Sequence, residues 1–268
     1  MANATETFQI PPEAAEAYES AFVPRLFGEW ARFLVGSVDL DTGTRVLDVA
    51  CGTGIVARLA AEIVGEKGRV VGLDLNQAML DVARRLGHSI EWRQGDAASL
   101  PFPDGSFDVV FCQAALMFFP DPTAAVGEMA RVVDPKGTVA IQVWDRTADQ
   151  PAYRPFIDVA TRHAGPEAVS ILSAYFALGD LDTLRETFQE AGLEVAQVRT
   201  ETTTMHFASV EEFVDVEVRS TPLGERLSEE AIGRIVSESR TEGLSPFVTE
   251  DGRLDVPIRG HLIKAHHR

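Results

Sequence analysis

Two cysteines among 268 residues cannot build a disulfide framework or a thiolate zinc site. Cys51 and Cys112 read as reduced thiols, the state expected of a cytoplasmic protein. Basic residues are also few: 24 Lys+Arg face 41 Asp+Glu, a formal charge of −17. A surface this acidic repels phosphate backbones and anionic bilayers, so neither nucleic acid nor a membrane is an expected partner. Long apolar runs are missing. The longest, residues 109–119, is interrupted by Gln113 and falls short of the roughly 20 residues that span a bilayer. The first seven residues carry neither a basic stretch nor an apolar core, so no secretory signal is expected. No His, Cys, Asp and Glu cluster has metal-ligand spacing, and no metal is expected.

What is present is an ordinary globular balance, 45% hydrophobic and 24% charged, at a length that suits one large domain or a core with an appendage. Residues 45–50, 69–74, 90–93, 107–112 and 138–144 read as strands. Helical patterns lie between them, over 55–64, after Asn76 and after Asp121. Asn76 and Asp121 are N-cap residues, Pro122 suits the first helical position, and Gly87 is read as a left-handed C-terminal stop. Residues 134–137 read as a turn.

Such alternation predicts a doubly wound, mostly parallel sheet with helices on both faces. Further strands at 193–200 and 256–266 make seven. Residues 1–40 read as a helical segment ahead of a main domain over 41–268. Residues 145–180 and 208–250 are helical insertions. If the strand after Gly192 runs parallel to the others, both insertions leave from carboxyl ends of strands, where ligands sit in such sheets. They would then roof the crevice as a cap. The alternative is solvated decoration.

The most informative stretch is 46–54, which passes from a strand into a helix through Ala50, Gly52 and Gly54. Two glycines permit a tight turn and close approach of a ligand. With Ala57 and Asp74 the spacing also fits a dinucleotide loop, so an NAD-dependent dehydrogenase is a rival reading. Asp48 separates the two. It lies near the point where a dinucleotide would lodge its pyrophosphate, and a carboxylate there repels phosphate. A phosphate-free, cationic nucleoside such as S-adenosylmethionine is compatible with it. Asp48 could equally bond loop amides and stabilise the turn.

Residues 48–54, 72–76, 95–97 with 107–110, and 131–137 occur in order, and together they resemble the motifs of class I S-adenosylmethionine-dependent methyltransferases. The closest pattern is that of the ubiquinone/menaquinone-biosynthesis-like small-molecule enzymes. The resemblance covers about residues 40–145 and implies a Rossmann-like methyltransferase fold. It also implies roles. Gly52 and Gly54 would admit the methionine portion, with Asp48 and the backbone about Ala50 near its ammonium. Asp74 would accept from the ribose hydroxyls, and Leu75 would pack on the adenine. Asp96 and the Ala97 amide would meet the adenine edge, and Gln113 would sit near the methionine and the transferred methyl. For Asp74 and Asp96 the alternative is helix or turn capping. Tyr18 would close over the cofactor or serve packing.

No catalytic base announces itself. His163 and His206 are candidates by their reactivity near neutral pH, against the ordinary role of surface or hydrogen-bonded core histidines. His261, His266 and His267 read as structural or solvated, and Tyr153, Tyr175, Phe156, Phe176 and Phe207 as core or as an apolar acceptor site. After the fourth strand the chain reads Cys112-Gln113-Ala114-Ala115, not the Asn/Asp-Pro-Pro-aromatic motif that grips a planar nitrogen. The expected activity is therefore methyl transfer from S-adenosylmethionine to a small, largely apolar metabolite, at oxygen or carbon rather than nitrogen. The alternative is a cofactor-binding protein of the same fold that catalyses another reaction. The oligomeric state is open.

Overall fold

A computed structural model describes residues 10–219 and 221–268. The strands are β1 (Arg45–Val49), β2 (Arg69–Asp74), β3 (Glu91–Gln94), β4 (Phe107–Gln113), β5 (Val133–Trp144), β6 (Leu193–Phe207) and β7 (Leu254–His267). They form one sheet in the order β3-β2-β1-β4-β5-β7-β6. β1 is parallel to β2 and β4, β2 to β3, and β4 to β5. In β1 every residue after Arg45 is buried, as expected of a central parallel strand covered on both faces.

Helices follow in chain order: α1 (Pro12–Ala17), α2 (Gly28–Val35), α3 (Ile55–Val64), α4 (Gln77–Leu86), α5 (Pro122–Val132), α6 (Tyr153–Ala164), α7 (Glu167–Leu172), α8 (Leu181–Glu190), α9 (Val210–Arg219), α10 (Leu223–Arg226) and α11 (Glu229–Glu238). Between α1 and α2 runs a π-helix, Tyr18–Phe27, with Pro24 inside it. The expected helical segment over 1–40 is thus helical from Pro12 to Val35, and residues 1–9 lie outside the described residues.

The chain divides into two compact units. One contains the described residues up to Val143, Leu181–Thr200 and His261–Arg268. The other contains Trp144–Asp180 and Glu201–Gly260. The second has an aromatic interior, in which Tyr153 meets Phe176 at 4.9 Å and Phe213 meets Phe156 and Phe207 at 4.9 and 5.2 Å, all edge-on.

Local chemistry explains the helix starts in the first unit. Asn76 accepts from the amides of Ala78 (2.9 Å) and Met79 (3.3 Å), and Asp121 from that of Ala124 (2.9 Å), so donors at both helix ends are paired. Two local expectations are corrected. Gly87 is not left-handed, with φ −131°. A Cβ there would come within 2.9 Å of the Trp92 indole, whose Nε1 donates to Gly87 O at 2.9 Å. The turn at 134–137 is a bulge inside β5: Phe107 pairs with Val133, but Val109 already pairs with Thr138. Pro135 has no N–H to give the ladder, which favours this irregularity.

Candidate functional site

At the carboxyl ends of β1, β2 and β4 the first unit holds a cavity of about 310 Å³. Its size falls at the small end of the range for ligand pockets, about 300–1,000 Å³. Of the sequence-predicted residues, Tyr18, Ala50, Gly52, Asp74, Leu75, Asp96, Ala97 and Gln113 line it. Asp48 and Gly54 do not.

The floor is the β1–α3 turn. Ala50 and Gly52 both take positive φ, 55° and 54°. For alanine that conformation is disfavoured and is held only where the surroundings fix it. One clamp is visible: Asp74 Oδ2 accepts from Gly52 N–H and Oδ1 from Asn76 N–H, both at 2.8 Å. Asp74 therefore ties the turns after β1 and β2 together. A carboxylate has about four lone-pair sites, so acceptor capacity remains beyond these amide bonds. Burial raises its pKa, opposed by the amides of Asn76, Gly52 and Leu75.

Asp48 is 1% exposed and sits behind the turn, where Oδ2 accepts from Ala57 N–H at 3.0 Å. It serves an amide in the first turn of α3. Burial pushes its pKa up to about 8; Asp74 adds to the rise, and the Ala57 amide and Arg58 oppose it. Gly54 (φ 88°) is needed for packing: a Cβ there would lie 2.2 Å from the Trp92 ring, and one at Gly72 would lie 2.3 Å away. Three glycines, at 54, 72 and 87, thus make room for one indole.

Leu75, Met79 and Ile10 give the cavity an apolar side. Asp96 is solvent-exposed and accepts from Ala98 N–H at 2.9 Å, the turn-capping bond weighed above, while still lining the cavity. Ala97 beside it is buried. Gln113 ends β4; its Nε2 donates to Phe27 O at 2.9 Å, and its Oε1 is buried with no hydrogen-bond partner. Tyr18 comes from the π-helix, stacks on Phe27 at 5.0 Å, and burial drives its phenol far above the ordinary range. The neighbouring Glu19 accepts from Arg58 Nη2 at 2.9 Å, while Arg58 Nη1 donates to Thr53 O.

The two histidines read as possible bases are otherwise engaged in the second unit. His163 Nε2 is paired with Glu238. His206 is 72% exposed and paired with Asp255 at 2.7 Å. Neither lines the cavity.

Sequence reasoning missed the wall formed by Ala114, Ala115, Phe118, Phe119 and Pro120, although a Phe-Phe-Pro run after a strand end was there to be noticed. It also missed Glu217, whose carboxylate accepts from Tyr153 OH at 2.8 Å in the second unit and is pushed by burial up to about 7. Among its lining residues the cavity carries the acids Asp74 and Asp96 and no Arg, Lys or His. Such a lining suits a group with donors and positive charge and disfavours a pyrophosphate.

A doubly wound sheet with an acid-lined crevice beyond its central strands defines the Rossmann-like methyltransferase class. Solved structures agree on the fold. The YcgJ protein of Bacillus subtilis superposes with a TM-score of 0.61 at 20% identity, covering 90% of this chain and 98% of that one. The [4+2]-cyclase SpnF gives 0.56 at 20% identity, covering 90% and 80%. Residues 47–141 match the family described as a methyltransferase domain.

A 2-phytyl-1,4-naphtoquinone methyltransferase of Synechococcus elongatus is 41% identical over 118 residues, 42% of this chain and 51% of that protein. The chain thus spans about half the length of this relative. The ubiquinone/menaquinone biosynthesis C-methyltransferase UbiE of Hahella chejuensis is 33% identical over 181 residues, 61% of this chain and 72% of that protein. The chain belongs to the family of S-adenosylmethionine-dependent methyltransferases that includes these quinone-biosynthesis enzymes.

Proposed function

We propose that the chain binds S-adenosylmethionine in this cavity and methylates a small, largely apolar acceptor, at carbon or oxygen. The supporting observation is the lining: two acids, no basic side chain, and the orphaned Gln113 Oε1 as an acceptor for a ligand donor. When bound, the cofactor supplies an activated methyl group on a sulfonium. Asp74 accepts from the ribose diol with the acceptor capacity left beyond its amide bonds. Leu75 and Met79 flank the adenine, and Asp96 with the Ala97 amide meets its polar edge. Gln113 Oε1 faces the ammonium, Tyr18 closes the methionine end, and Asp48 acts from behind the turn by holding the Ala57 amide at the start of α3. Alignment of the acceptor with the methyl and exclusion of water are the chain's contribution to rate.

The relatives' names point to a quinone-type ring as the acceptor, methylated at carbon. The free, buried state of Cys51 and Cys112 fits a cytoplasmic setting. Among the described residues no helix is long and apolar enough to cross a membrane. Incubation with methyl-labelled cofactor and a reduced naphthoquinone, followed by mass analysis of the organic extract, tests the reaction. A labelled, methylated ring is expected. Cofactor binding with no methylated product from any of a panel of quinols and phenols would leave a non-transferring protein of the same fold, the second reading that SpnF favours.

A further inference from the structure

Gln142 is 0% exposed, and neither Nε2 nor Oε1 has a hydrogen-bond partner. A buried amide left unpaired on both atoms is unfavourable, and an apolar side chain of similar shape would be tolerated better. Gln142 is in register with Gln113 across the β4–β5 pair, so the two side chains leave the same face of the sheet on neighbouring strands. The strands are about 4.8 Å apart, so Gln142 lies one strand beyond the end of the cavity that Gln113 marks. Its carbonyl also fixes that wall, accepting from Ala114 N–H at 2.9 Å. Ala114, whose N–H makes that backbone bond, holds φ 50°, a disfavoured conformation for alanine.

We propose that the Gln142 side-chain amide is a recognition subsite for a neutral hydroxyl group on the methyl acceptor. An amide offers one donor face and one acceptor face, and a hydroxyl accepts from the first and donates to the second. Bringing a charge into this enclosed position costs far more than bringing in a neutral group, so a neutral group is selected. Phe118 and Phe119, on the cavity wall that follows Gln113, supply the apolar surface for the rest of such a molecule. Gln142 is enclosed and is not among the residues lining the cavity, so the turn about Ala114, with its disfavoured φ, must shift to admit the hydroxyl. Along the sheet the order is then Asp74 for the ribose, Gln113 for the methionine end and Gln142 for the acceptor. The proposal rests on the methyl-transfer reading only in naming the bound molecule as the acceptor.

The test compares 1-naphthol with 1-methylnaphthalene, which replaces the hydroxyl by a methyl, by tryptophan fluorescence with and without S-adenosylhomocysteine. Native protein is expected to prefer the naphthol about tenfold or more, the usual penalty for leaving a buried polar group unpaired. Gln142→Leu should bring the two ligands within about twofold, leave S-adenosylhomocysteine affinity unchanged and keep or raise Tm, because it removes an unpaired polar group. Gln142→Met gives the same readout if leucine disturbs the strand. Equal affinity in the native protein, binding of neither probe, or a preference that survives both substitutions overturns the subsite. Failure of S-adenosylhomocysteine to bind would instead remove the cofactor reading, and the naphthol comparison without it still decides the role of Gln142.

Discussion

Asp48 and Asp74 are neighbouring acids with different tasks. Asp74 faces the cavity and binds the amides of Gly52 and Asn76, whereas Asp48 stands behind the turn and binds that of Ala57. Removing Asp74 takes away the ribose acceptor and unties Gly52 from Asn76. Asp74→Ala should weaken S-adenosylhomocysteine binding by about 1.5–3 kcal/mol, the range for hydrogen bonds to a charged group. Calorimetry checks this, and unchanged affinity would refute the assignment.

For Asp48 the sign follows from its pKa of about 8 against an ordinary value of 3.8. Below pH 4 both native and unfolded forms carry the proton. Above it the unfolded chain ionises while the native carboxyl stays protonated up to about pH 8, so this group's contribution to stability is lost across that window. Asp48→Asn keeps an acceptor for Ala57 N–H and has no such loss. Its Tm should gain on the native protein as pH rises from 5 to 8. A difference that stays constant with pH contradicts the assignment.

Elements explain why part of the site was legible and part was not. The core strands could be read because central parallel strands are continuous apolar runs, and Asn76 and Asp121 because capping is local chemistry. Gly54 and Gly87 carried turn meanings in sequence, yet the structure uses both to seat Trp92, a contact that sequence spacing does not reveal. Gly54→Ala, with its positive φ and a Cβ 2.2 Å from the ring, should lower stability by about 1–3 kcal/mol, read by thermal unfolding. A stability equal to the native protein's would mean that the indole moves aside at no cost. Neither the π-helix over Tyr18–Phe27 nor the loneliness of Gln142 could be read. The π-helix carries Pro24 within it, where a proline argues against a continuous helix, and an amide's lack of partners is a property of packing.

At the scale of the whole molecule, charge and motif order did most to narrow the function. The net charge of −17 and the acid-lined cavity point the same way, toward a ligand without phosphate. The expected insertions over 145–180 and 208–250 fall within the second unit, Trp144–Asp180 and Glu201–Gly260, whose aromatic interior could not be assigned to core or pocket from composition. The histidines suspected as bases lie in that unit with carboxylate partners, a pairing invisible in sequence because Glu238 and Asp255 are distant along the chain.

The central claim is that an acid-lined crevice beyond β1, β2 and β4 holds a cationic, phosphate-free nucleoside. Isothermal titration of the purified protein with S-adenosylmethionine and, separately, with NAD tests it most directly. The account predicts one site for the first and no heat of binding for the second. Binding of NAD with no response to S-adenosylmethionine would contradict it.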